Sequence, residues 1–153
     1  MGFTATYLYD GTRWVSHDPE EIPAVAEPWM LVSIHDSDIC TVMYRPAGPG
    51  SGTAYLGYTP RTYFEDETAS EPTNVTREAD GLAAWWANLH PASNPAMTAA
   101  RASELLGFLA EDDAPIDEDI EDDALDDADV FVEIKAARFL AALGLPIPQE
   151  LSD

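Results

Sequence analysis

The fold follows most directly from residues 29–44, which read WMLVSIHDSDICTVMY. Two runs in this stretch, WMLVSI at 29–34 and ICTVMY at 39–44, are apolar on both faces, as the central strands of a sheet are. The four residues between them, HDSD at 35–38, have the composition of a polar turn. We therefore expect two neighbouring central strands joined by that turn.

Strand patterns continue on both sides of this pair. Before it, β-branched and aromatic residues at 4–9 end at Asp10-Gly11, a strong hairpin signal. After it, the loop PAGPGSGT at 46–53 is rich in Pro and Gly, and its glycines are typical of a hairpin turn. The pattern predicts a meander of four to six strands. The other expected strands lie at residues 12–16, 54–59 and 62–64.

Helical signals dominate the C-terminal part of the chain. Asn94-Pro95 is a typical helix start. A last helix is expected over residues 129–143, with Gly144 as its C-cap and Pro146 as its stop. The positions expected to face the core at helical spacing are Met97, Ala102, Leu105, Leu106, Leu109, Val132, Ala136, Phe139, Leu140 and Leu143.

Two other segments complete the expected organisation. Asp18-Pro19 begins a short helix, with Asp18 as its N-cap. Residues 81–89 (GLAAWWANL) are apolar enough for a strand or a helix, and we expect Trp85 and Trp86 to belong to the core. The prediction is one α+β domain over residues 1–153, an antiparallel sheet of four to six strands with C-terminal helices packed on one side.

Composition restricts the classes of function. The 29 Asp and Glu residues against 7 Lys and Arg give a net charge of −22, which disfavours binding to nucleic acid or to an anionic membrane. The two remaining explanations of this charge are a basic protein partner and simple solubility. Cys40 is the single cysteine, so an internal disulfide is excluded. No run approaches the ~20 apolar residues of a membrane span, and no signal peptide is evident. We expect a cytoplasmic protein.

The acidic excess is concentrated in residues 111–129, EDDAPIDEDIEDDALDDAD, where twelve of nineteen residues are acidic. As a helix this segment would span about 28 Å, or one charge per ~2.4 Å, which approaches the ~1.7 Å of duplex DNA. Three interpretations stay open: a solvated linker, a partner-binding surface and a cation site. Calcium is disfavoured because Asp122 stands where an EF-hand loop needs Gly.

The partner-binding hypothesis assigns specific residues to the contact. The strand at 54–59 would add apolar contacts to the electrostatic contribution of the acidic run. The candidate partner-binding residues are Asp117, Glu118, Asp119, Glu121, Asp122, Asp123, Asp126, Asp127, Tyr55 and Tyr58.

We find no set of residues that amounts to an active site, and expect no metal, cofactor or small-molecule substrate. His17, His35 and His90 stand next to Asp or Pro in predicted turns. Cys40 lies in an apolar strand, where free cysteine behaves as a small hydrophobe. The enzyme alternative is a small hydrolase that uses His35, Asp36 or Cys40.

The order of elements resembles the small α+β immunity proteins of bacterial polymorphic toxin systems, in the family paired with deaminase-type toxins. The resemblance rests on the early strand, the DPEEI helix start, the strands WMLVSI, ICTVMY and AYLGYT, and a closing FLAALGLPIP. Gly57, Gly81, Trp85 and Trp86 would supply the Gly and Trp pattern of such families. The resemblance implies a protein without enzymatic activity that occludes the active site of a nucleic-acid-targeting toxin. Two alternatives are an acidic DNA mimic, directed at a host nuclease or DNA-binding protein, and an adaptor domain.

Overall fold

The computed structural model describes residues 4–18, 25–26, 28–35, 39–57, 59–66, 68–69, 73–110, 132–148 and 151. The helix expected to follow Asp18 and the acidic segment at 111–129 lie outside these residues. Within them, an antiparallel sheet of five strands carries helices on one face, so the predicted α+β class is confirmed. No helix among the described residues is long and apolar enough to cross a membrane.

The sheet has the strand order β2-β1-β3-β4-β5. Both central runs form the strands that the sequence predicts, and all neighbouring strands are antiparallel. β1 lies between β2 and β3, so the expected simple meander is wrong at this point. The reason is burial: the C-terminal half of β1 is buried, whereas β2 has three residues and suits an edge. The strands are β1 (Ala5–Tyr9), β2 (Trp14–Ser16), β3 (Trp29–His35), β4 (Ile39–Arg45) and β5 (Thr53–Gly57).

The helices begin and end at residues suited to those positions. The side chain of Asn74 accepts a hydrogen bond from the Arg77 amide at 3.1 Å, and that of Asn94 accepts one from the Met97 amide at 2.9 Å. Gly144 has φ +73°, the left-handed conformation that a C-cap glycine supplies. The helices are α1 (Pro60–Tyr63), α2 (Val75–Leu89), α3 (Pro95–Leu106) and α4 (Val132–Ala142).

The strand expected at residues 62–64 is wrong. Pro60 starts a single helical turn instead, because its fixed φ suits the first helical position. The amide of Tyr63 bonds to the Thr59 carbonyl and that of Phe64 to the Pro60 carbonyl, both at 2.9 Å. Residues 81–89, for which the sequence left strand and helix open, belong to α2.

The core lies between the sheet and the helices α2 and α4. Trp85 is fully buried and Trp86 nearly so, as expected. The predicted face of α4 is confirmed, since Val132, Ala136, Phe139, Leu140 and Leu143 are all buried.

The expected face of α3 is only partly correct. Ala102 and Leu105 are buried, but Met97 and Leu106 are 46% and 38% exposed. The helix packs mainly against α2 rather than on the sheet, so only a narrow strip of it is covered.

Candidate partner-binding surface

The negative charge is distributed unevenly along the sequence. Outside residues 111–129 the chain has seventeen acidic and seven basic residues, a formal net charge of −10. The acidic segment alone carries twelve acidic residues and no basic residue. The acidic segment therefore supplies more than half of the net charge of −22, although it is only nineteen residues long.

The acidic segment follows directly from the edge of the sheet. The amide of Ala110 donates a hydrogen bond of 2.7 Å to the carbonyl oxygen of Tyr55 on β5, and Leu109 forms a β-bridge with Leu56. Ala110 is 6% exposed, and Val132, the first residue of α4, is 3% exposed. The segment thus has a buried anchor residue on each side.

Tyr55 belongs to the face of the sheet opposite the helices. Paired residues of antiparallel strands share a face, and the register pairs Thr6 with Ser33, Ser33 with Thr41 and Thr41 with Tyr55. The hydroxyls of Thr6 and Ser33 are hydrogen-bonded at 2.9 Å. All four side chains are partly exposed. They form a continuous row of hydroxyl-bearing side chains, which we call the hydroxyl row.

The structure places one of the predicted partner-binding residues at the start of the acidic segment. Tyr55 lies on the strand to which Ala110 is bonded, and it ends the hydroxyl row. Tyr58 and the eight predicted acidic residues at 117–127 lie outside the described residues. The other members of the row, Thr6, Ser33 and Thr41, were missed because they come from three strands whose register the sequence does not specify.

The residues of the enzyme alternative are not brought together. Cys40 is fully buried, and that burial raises the pKa of its thiol. It pairs with Ile34, whereas the neighbouring His35 pairs with Ile39, so the two side chains point to opposite faces of the sheet. A Cys–His dyad is therefore ruled out for this pair. Asp36 lies outside the described residues.

In the part of the chain that the structure describes, the histidines and the possible metal ligands do not come together in one site. Among the described residues, no three His, Cys, Asp or Glu side chains are placed to hold a metal ion. His90 caps α2, with its Nδ1 2.9 Å from the Trp86 carbonyl and its ring stacked on that of Trp86. His90 thus has a structural role at the helix terminus.

A buried carboxylate stabilises the loop that leads into β5. Glu78 of α2 is 1% exposed and accepts hydrogen bonds from the Tyr44 hydroxyl at 2.6 Å and the Ser51 amide at 3.0 Å. The side chain of Arg77 adds a third bond at 3.1 Å. Burial and the Glu78 carboxylate raise the pKa of Tyr44. The sequence contained a signal, since Glu78 shares a helical face with Leu82 and Trp85.

A shallow groove of about 600 Å³ lies between α2 and α3. Its walls are mainly alanine side chains, with Asp80 on one side. Because it belongs to the helical layer, it is separate from the hydroxyl row on the opposite face of the sheet.

Comparison with known proteins finds no relative of the chain. Neither the profiles of known protein families, nor the curated proteins, nor the solved structures contain a significant match to the chain. The charge distribution and the geometry of the described residues are therefore the basis for proposing a function.

Proposed function

We propose that the chain is an inhibitor without enzymatic activity: an immunity protein that binds a basic, nucleic-acid-targeting toxin of deaminase type and occludes its active site. The observation that carries the proposal is the charge distribution. Twelve acidic residues without a basic one stand in nineteen residues of sequence, and they supply more than half of the net charge of −22.

The chemistry of such a segment suits a cleft that binds nucleic acid. Enzymes that grip DNA or RNA line their clefts with Lys and Arg to replace counterions. Closely spaced carboxylates are attracted by the same side chains. Long-range attraction between opposite charges raises association rates by roughly 10–10³ and weakens with salt. A cell that makes a toxin needs such rapid capture.

Ala110 and Val132 are buried anchors on the two sides of the acidic segment, and we expect them to raise the affinity for the partner. A chain segment held at both ends has fewer conformations to lose on binding than a segment held at one end. The backbone carbonyl of Tyr55 accepts the hydrogen bond from the first anchor, so Tyr55 belongs to the strand beside it. Its partly exposed aromatic side chain would add an apolar contact to the electrostatic one.

The DNA-mimic alternative requires negative charge spread over an ordered surface. The acidic segment holds twelve of the 29 acidic residues and none of the seven basic ones, which favours a contact centred on that segment. The two proposals also differ in partner: a cognate toxin in one case and a host DNA-binding protein in the other.

The proposal is tested by capture from a lysate of the producing cell. The immobilised wild-type protein is compared with a variant in which Asp117, Glu118, Asp119, Glu121, Asp122, Asp123, Asp126 and Asp127 are replaced by Asn or Gln. We expect the wild type to retain a basic enzyme that acts on nucleic acid and to release it at high salt. The neutralised variant should not retain it.

A matched pair of triple variants separates the segment from overall charge. Asp122→Asn, Asp123→Asn and Asp126→Asn remove three charges from the segment. The second triple variant removes three exposed charges outside the segment, by Asp18→Asn, Asp80→Asn and Glu104→Gln. Only the first triple should lower the salt concentration at which the partner is released. Equal effects would contradict a contact confined to the segment, and retention of no basic protein at low salt would refute the proposed function.

A further inference from the structure

Three aromatic rings meet beside the turn between β3 and β4. The ring of Tyr63 lies 4.9 Å from that of Phe64, edge to face. The His35 ring at the end of β3 lies 6.3 Å from Tyr63 and 6.2 Å from Phe64. These side chains bring α1 against the end of the sheet.

Phe64 is the most exposed large apolar side chain among the described residues, at 54%. It follows α1, and the next residue, Glu65, has φ +52°, a left-handed conformation that is uncommon for any residue with a side chain. The chain therefore turns sharply after Phe64, and the exposed ring remains held by its contacts with Tyr63 and His35.

The cluster shares a sheet face with Tyr55. His35 pairs with Ile39, and Ile39 pairs with Gly57. Gly57 is two residues from Tyr55 on β5, so both positions lie on the same face, about 7 Å apart along the strand. The aromatic cluster thus adjoins the hydroxyl row and the start of the acidic segment.

Exposed acidic residues follow the cluster directly in the chain. They are Glu65 and Asp66. The hydroxyl and amide of Thr68 both donate to the Asp66 carboxylate, at 2.7 and 2.9 Å, and hold its pKa below the usual range. In the sequence, residues 35–38 (HDSD) and 60–71 (PRTYFEDETASE) contain four more acidic residues and one basic residue, Arg61.

We propose that this corner, formed by His35, Tyr63, Phe64, Glu65 and Asp66, binds an arginine side chain of a basic protein. The inference rests on the proposed function and gives its partner a second point of contact. A guanidinium group stacks on aromatic faces and pairs with carboxylates through two parallel hydrogen bonds. The lysine ammonium is a strongly hydrated point charge and does neither as well. The combination of an exposed ring and adjacent carboxylates therefore selects arginine.

The test uses two peptides of equal charge, octa-arginine and octa-lysine, as probes for the full chain. Calorimetry measures both dissociation constants, and their ratio reports the preference for arginine. Phe64→Leu removes the ring but keeps an apolar side chain. The control is Met97→Leu, which replaces a different exposed apolar side chain, on α3. We expect Phe64→Leu to reduce the preference about two- to fivefold, the effect of one exposed cation–π contact, and Met97→Leu to leave it unchanged.

The outcomes separate this inference from the proposed function. The variant with eight neutralised residues at 117–127 should weaken binding of both peptides and keep their ratio, because the aromatic corner is intact. An unchanged ratio in Phe64→Leu would overturn the arginine site, while salt-dependent binding of both peptides would still support the acidic contact. Failure of both peptides to bind at low salt would refute both proposals.

Discussion

The amide of Ala110 donates a hydrogen bond of 2.7 Å to the carbonyl of Tyr55, which fixes the start of the acidic segment to the edge of the sheet. Among the strands that the structure describes, β5 lies at the edge of the sheet and pairs only with β4. The bond therefore gives one carbonyl group of this edge strand a hydrogen-bond partner. It also places the start of the acidic segment at the β5 edge of the sheet.

Replacing Ala110 by Pro should release this anchor. Proline has no amide hydrogen, so the bond to Tyr55 is lost, and we expect the free energy of unfolding to fall by about 1–3 kcal/mol. Partner binding should weaken severalfold because the segment is tethered less closely. Ala110→Ser, which keeps the amide, is the control for thermal denaturation and for Kd. A folded Ala110→Pro variant that binds as tightly as wild type would show that this anchor does not contribute.

Gly81 is required for α2 to approach the loop between β4 and β5. A methyl group there would overlap the Tyr44 hydroxyl and lie 2.8 Å from the Ala47 carbonyl and 2.9 Å from the Gly50 Cα. Alanine favours helix by about 1 kcal/mol over glycine. We nevertheless expect Gly81→Ala to destabilise the protein by about 1–3 kcal/mol, as overpacking does.

Chemical denaturation measures this effect directly. Ser103→Ala, at an exposed position of α3, provides the control and should change stability little. If Gly81→Ala is as stable as wild type, the close contact between α2 and the loop does not constrain the fold.

The hydrogen bond from Tyr44 to Glu78 predicts a loss of stability at alkaline pH. The pKa of Tyr44 is raised in the folded state, whereas the unfolded chain loses this proton near the usual value of about 10. Above that pH the folded state binds more protons than the unfolded state, so stability falls by up to about 1.4 kcal/mol per pH unit. Below it, this contribution is fully present.

Tyr44→Phe tests the origin of that pH dependence. It should be less stable than wild type at neutral pH, because one donor to the buried carboxylate is lost, and its stability should decline less steeply above pH 10. Urea denaturation at several pH values measures both effects. The same slope in both proteins would assign the alkaline transition to other groups.

The thiol of Cys40 should be inert in the folded protein. It is fully buried and its pKa is raised, so little thiolate is present and a reagent cannot reach it. We expect a thiol-reactive dye to modify Cys40 only after unfolding, at a rate that follows the population of the unfolded state. Rapid modification under native conditions would contradict the burial and reopen the question of a reactive cysteine.

The sequence predicted the elements whose apolar pattern is local. β3 and β4 were expected because both of their faces are apolar, and α4 because Val132, Phe139 and Leu143 recur at helical spacing. α2 was ambiguous, because residues 81–89 are apolar enough for a strand or a helix and their periodicity does not decide between them. The position of β1 between β2 and β3 follows from long-range pairing, which no local pattern specifies.

The candidate site was predictable in composition but not in geometry. The acidic run and Tyr55 can be recognised in the sequence, because charge density and aromatic residues are visible there. Their proximity depends on the Ala110 bond to β5. The hydroxyl row combines residues from four strands, so it became visible only with the register of the sheet. The aromatic corner brings together β3, α1 and the residues after α1, a contact that no local pattern specifies.

The most direct test of the central claim is a titration of the captured partner's activity on nucleic acid. Increasing amounts of this protein are added at low salt, and the remaining activity is measured. We predict complete inhibition at one molar equivalent, relief by added salt or by excess nucleic acid, and no inhibition by the variant neutralised at residues 117–127. Full activity of a partner that is demonstrably bound would contradict occlusion of its active site by the acidic segment.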